Sequence, residues 1–140
     1  MQTLLLLHAA ATLYMTGLIW FVQRVHYPLM GCVGESGYAH YQREHQRRTG
    51  WAVGPAMLIE LGCAVTLCLV PQATEPRTIA WVGLALLAIL WLSTGLLQVP
   101  CHRKLAQGFD RHTHRKLVQT NWLRTVCWSL RGVLALLLLL

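Results

Sequence analysis

The stretch VQTNWLRTVCWSLRGVLALLLLL, residues 118–140, decides how this chain is read. It is long enough to cross a bilayer, which takes about 20 apolar residues, yet Asn121, Arg124, Thr125 and Arg131 interrupt it. A charge at the centre of a spanning helix costs about 2.5–3.5 kcal/mol on insertion scales, so each one needs a partner. In heptad spacing His114, Asn121 and Trp128 form one row, and Leu117, Arg124 and Arg131 form the next. All six therefore share one helix face. A polar stripe in lipid must turn toward other helices, so the segment predicts a bundle.

Working outward, residues 3–22, 51–70 and 79–99 are the other stretches of spanning length. The chain of 140 residues is 55% hydrophobic and 12% charged, with a mean hydropathy of +0.45. Soluble domains carry roughly 25% charge. The expectation is one integral membrane domain over residues 1–140: an all-α, antiparallel four-helix transmembrane bundle. The first stretch lacks a basic leader and a small-residue cleavage site, so it reads as a retained helix rather than a signal peptide.

The net charge of +7 comes from twelve Lys and Arg against five acids. Arg24, Arg43, Arg47 and Arg48 lie in or beside the first connection, and Arg103, Lys104, Arg111, Arg115 and Lys116 in or beside the third. The second connection has Arg77 offset by Glu75. The positive-inside rule then places both basic loops in the cytoplasm and both termini outside, with a bacterial inner membrane as the expected site. Cations placed this way are topology signals, and nucleic acid is not an expected partner. Arg124 and Arg131 are the two that topology does not explain.

Local signals refine the boundaries. Pro71 and Pro76 mark an outer turn. Asp110 can cap a helix beginning near Arg111. Ser36 can open a helix with the stripe Tyr38, Tyr41, His45 and Arg48, running into the second span with a kink at Pro55. Trp20, Trp51, Trp81 and Trp122 fall near span ends as interfacial anchors. Gly50 and Gly54 permit close packing. The five cysteines contain no Cys-x-x-Cys pair, so neither a redox dithiol nor a zinc ribbon is indicated.

Glu60 is the acid within the spans. Counted from Trp51 and Val118, Glu60 and Arg124 both lie about 9–14 Å deep, which predicts that they pair. Histidines gather at the cytoplasmic ends: His26 leaves the first helix, His45 precedes the second, His102 leaves the third and His114 enters the fourth. Imidazoles converging from facing helices are how bundles build metal sites. The set suits iron, copper or zinc, or a b-type haem with two axial histidines. Ferritin-like Glu-x-x-His pairs and His-x-x-His boxes are absent. His8 lies about 27 Å from His26 along the same helix and cannot share its ion.

His26–Tyr27–Pro28, His45–x–x–Arg48, Val99–Pro100–Cys101–His102 and Asn121–Trp122–x–Arg124–Thr125–x–x–Trp128 resemble a family of small bacterial four-span membrane proteins of unknown function. Asn121–x–x–Arg124 is more distantly similar to the anthrone-oxygenase-like membrane domain family, which implies oxygenation of polycyclic aromatic substrates. His8 and Trp20 are loosely similar to the first helix of the membrane protoporphyrinogen oxidase.

The leading expectation is a membrane redox protein whose metal or haem site lies in the cytoplasmic half and acts on a quinone or aromatic. His26, His45, His102 and His114 are the candidate ligands. Glu60, Asn121 and Arg124 are the candidate catalytic groups, and Gln98, Trp128 and Arg131 are candidate cofactor contacts. The alternative is a non-catalytic subunit of a homo-oligomer or larger membrane complex, or a small-molecule conduit, in which the buried Arg and Glu are structural.

Overall fold

A computed structural model describes residues 1–70 and 77–140. Four helices account for nearly all of them: α1 (Gln2–Met30), α2 (Glu35–Leu69), α3 (Arg77–Leu105) and α4 (Arg111–Leu137). The turn expected at Pro71–Pro76 lies outside the described residues. The first three helices are long and apolar enough to cross a membrane. α4 has comparable length, but Asn121, Arg124 and Arg131 dilute its middle.

Numbering runs in opposite directions across each interface. Thr12 meets Glu60 while His26 meets His45, and Thr16 meets Trp128 while Gln23 meets Asn121. Neighbouring helices are thus antiparallel, in the cyclic order α1, α2, α3, α4. The α1–α2 and α3–α4 connections lie together at what we call the turn end. At the opposite, terminal end Leu4, Leu67, Ala80 and Leu138 share one apolar cluster. Met15, Ile19, Met57, Leu87, Leu90 and Trp128 fill the middle. Lipid tails are as apolar as these side chains, so close packing rather than expulsion of water holds such a core in a membrane. Gly132 allows that approach, since a Cβ there would stand 3.2 Å from Thr16 Oγ1.

Every helix outruns the apolar stretch that foretold it. Asp110 is the cap of α4 as expected, accepting from the His112 N–H at 3.1 Å and the Thr113 hydroxyl at 2.6 Å. Gly108, at φ +153°, makes the approach to that cap in a conformation suited to glycine. α2 starts at Glu35 without a side-chain cap and contains Pro55. Its buried polar stripe is Tyr38, Gln42 and His45, with Arg48 outside, so the expected stripe is turned by about one position.

The prolines of α1 and α3 leave a distinct mark. Each helix has one π turn, Val22–His26 and Thr94–Gln98, just before Pro28 and Pro100. A proline ring clashes with the carbonyl four residues earlier, here Arg24 and Leu96, which are the central residues of the two turns. Widening the turn relieves the clash and fits in one extra residue. Pro100 therefore does not end α3; the helix continues to Leu105. The added rotation leaves Gln23 and Gln98 buried.

Candidate functional site

The buried polar residues form two layers. Nearer the terminal end, Glu60 and Arg131 are 0% and 1% exposed. Arg131 Nε and Nη2 each stand 2.9 Å from Glu60 Oε1. Thr12 donates to the same oxygen at 2.9 Å and Trp128 Nε1 to Oε2 at 3.1 Å. Arg131 also donates to the Gly83 carbonyl, and His8 Nε2 lies 3.4 Å from its Nη2.

This arrangement corrects the expected Glu60–Arg124 pair. The ends of the apolar runs are not a common baseline, because α2 and α4 both continue past them. α1 is the better ruler: Glu60 lies opposite Thr12 and Arg131 opposite His8, whereas Asn121 lies opposite Gln23. Arg124 is seven residues from Arg131, or about 10 Å along the helix.

The second layer lies nearer the turn end. Arg124, 6% exposed, donates through Nη1 to Asn121 Oδ1 at 3.1 Å. Asn121 Nδ2 donates to Gln23 Oε1 at 2.8 Å. The guanidinium sits 5.1 Å from the Trp128 ring centroid and beside the Tyr27 hydroxyl. Tyr27 Oη is 2.9 Å from His102 Nε2, and Gln42 Nε2 is 2.7 Å from His102 Nδ1. With Gln42 donating its amide N–H, Nδ1 accepts, the ring is neutral, and Nε2–H donates to Tyr27. The tyrosine keeps its own proton for another acceptor.

Three of the four candidate ligands come together. His26 Nε2 and His45 Nδ1 are 2.9 Å apart with rings stacked at 4.4 Å, and the His102 ring centre is 5.2 Å from that of His45. His114 stands apart. Its Nε2 is 2.7 Å from the Tyr27 carbonyl and its ring packs on Phe109. Among the described residues no group of three or more His, Cys, Asp or Glu is arranged to hold a metal ion.

A cavity of about 530 Å³ opens along the α2–α3 seam. Val53, Met57 and Leu58 of α2 face Trp91 and Val99 of α3 across it. His45, Gln98 and His102 line it too, with Tyr27 of α1 and Arg124 of α4 behind. Asn121 and Trp128 support Arg124 without lining the cavity, and Glu60 and Arg131 belong to the other layer.

The chain matches no family model, no curated protein and no solved structure. The site must therefore be read from its own chemistry. An apolar chamber with a few convergent polar groups is the usual form of a small-molecule site. Tyr27 and Gln42 were not singled out from sequence as site groups. Gln42 lies three residues before His45, as one buried face requires, which was the available signal. Tyr27 precedes Pro28, and the π turn that orients it leaves no periodic trace.

Proposed function

We propose that this chain is an integral four-span membrane protein that binds a lipid-soluble quinone or aromatic in the α2–α3 cavity, as the substrate site of a membrane oxidoreductase. The observation that carries the reading is the cavity itself, apolar on its flanks and polar where Tyr27, His102 and Arg124 meet. Tyr27 is placed to donate a hydrogen bond to a carbonyl oxygen in the chamber, and His102, neutral and donating to Tyr27, orients that hydroxyl. The similarity of Asn121–x–x–Arg124 to the anthrone-oxygenase-like domains supports an aromatic substrate. The basic loops support a topology with the turn end in the cytoplasm, and a bacterial inner membrane as its site.

The iron, copper, zinc or b-type haem foreseen from the histidines enters this proposal only through His26, His45 and His102. The nitrogen pair at 2.9 Å is closer than two axial ligands on opposite sides of one iron, which bonds of about 2.0 Å would hold about 4 Å apart. Binding in the cavity does not depend on such a group. The mutually satisfied Glu60–Arg131 pair favours a structural role for those two residues within the same protein.

The test is titration of the protein in lipid nanodiscs with a short-chain benzoquinone, read by tryptophan fluorescence. Saturable quenching is expected for the wild type. Gly54 lines the chamber region and a Cβ there meets nothing within 4 Å, so Gly54→Phe fits the fold and fills the space. Affinity should fall about tenfold or more, or about 1.4 kcal/mol. No saturable quenching in the wild type, or unchanged affinity in Gly54→Phe, overturns the proposal. Visible absorption and elemental analysis of the same sample decide the metal or haem: a colourless, metal-free protein that binds the quinone ends that part alone.

A further inference from the structure

No counter-anion among the described residues stands against the buried cation of Arg124. Among the described residues the ion-paired carboxylates have other partners: Glu60 holds Arg131, Glu44 holds Arg47 and Arg48, and Asp110 holds Lys104. Around Arg124 stand an amide oxygen, a phenol and an indole face, all neutral. A charge left this way in a low-dielectric interior is strongly disfavoured. The neighbouring Glu60–Arg131 pair, about 10 Å away along α4, shows how the same helix neutralises its other arginine.

Two further facts point the unmet charge into the cavity. Arg124 lines the chamber, and its buried Nε has no hydrogen-bond partner. Buried polar groups are nearly always satisfied, so an orphaned donor at a cavity wall marks where a ligand's acceptor belongs.

We propose that Arg124 is an anion receptor and that the cavity's ligand is an apolar molecule bearing one anionic oxygen group, a carboxylate or a ring-bound oxyanion. The assignment rests on the cavity reading above and narrows its substrate class from quinones and aromatics in general to those that carry or acquire a negative oxygen. Arg124 supplies the counter-charge and Trp128 and Asn121 hold its plane. The flanks formed by Val53, Met57 and Trp91 take the apolar body.

The experiment compares 2-naphthoate with its neutral isostere 2-naphthamide on the full-length protein in nanodiscs, with empty nanodiscs as the partition control. Charge-assisted hydrogen bonds exceed neutral ones by enough to make the carboxylate bind about tenfold tighter or more. Arg124→Gln should abolish that preference by lowering naphthoate affinity far more than naphthamide affinity, and Arg124→Lys should keep part of it. The wild-type comparison stands alone should Arg124→Gln fail to fold. Equal binding of the two probes to the wild type, or a preference that survives in Arg124→Gln, overturns the receptor while the cavity stands. Binding of neither probe overturns both.

Discussion

Glu60 and Arg131 are each intelligible only through the other. The carboxylate accepts from Thr12, Trp128 and Arg131 at once, so removing it strands a guanidinium that is 1% exposed. Glu60→Ala should therefore cost about 3–5 kcal/mol, seen as a lower midpoint of thermal unfolding in detergent. Replacing both, Glu60→Leu with Arg131→Met, should recover most of that loss, because a buried pair is often no more stable than a well-packed apolar one. A double variant as unstable as the single one would refute this. Asp110 illustrates the half-buried case. Lys104, Thr113 and the His112 N–H hold its carboxyl below the usual carboxylate range. Its stabilising effect is complete above the pKa of an unfolded Asp, about 3.9, and is lost as pH falls through the lower folded value. Amide exchange at the first turn of α4 should accelerate over that acid range. Asp110→Asn should remove the pH dependence while keeping the cap.

The helices carry their own lesson about what a sequence discloses. The face of α4 bearing Asn121, Arg124, Trp128 and Arg131 was legible because its heptad spacing is regular, and all four are buried. The cap at Asp110 was legible because it depends on neighbours in sequence. The Glu60 partner was not, because the axial register between helices is set by packing along their whole length, and hydropathy reports only where apolar runs end. The π turns were hidden for a related reason: one inserted residue rotates everything beyond it without altering composition. Pro28→Ala and Pro100→Ala should let these turns relax toward regular α-helix, swinging Gln23 or Gln98 by about 100°. Each variant is expected to unfold no more easily than the wild type yet to bind naphthamide about tenfold more weakly, a combination that simple destabilisation would not produce.

For the whole molecule, four helices and their antiparallel order followed from composition and charge, whereas the chamber at one seam did not, since a cavity is a property of how faces fail to meet. The cysteines offer a direct test of orientation. Cys32 is exposed in the α1–α2 connection, and Cys63, Cys68, Cys101 and Cys127 are buried. A membrane-impermeant maleimide should label Cys32 in inverted vesicles and leave it unlabelled in intact cells stripped of their outer barrier; the opposite pattern would reverse the topology. The α2–α3 seam is fastened at both limits, by Gln42 and Gln46 on His102 toward the turns and by Leu67 against Ala80 toward the termini. The opening between them is a framed porthole and not a cleft that must unzip. In the proposed function a flat guest would pass sideways while the helices keep their positions, leaving any long tail outside among the lipids. Traffic through such a window is governed by how often a molecule diffusing in the plane of the bilayer meets it, so exchange should follow lipid fluidity more closely than the stability of the bundle.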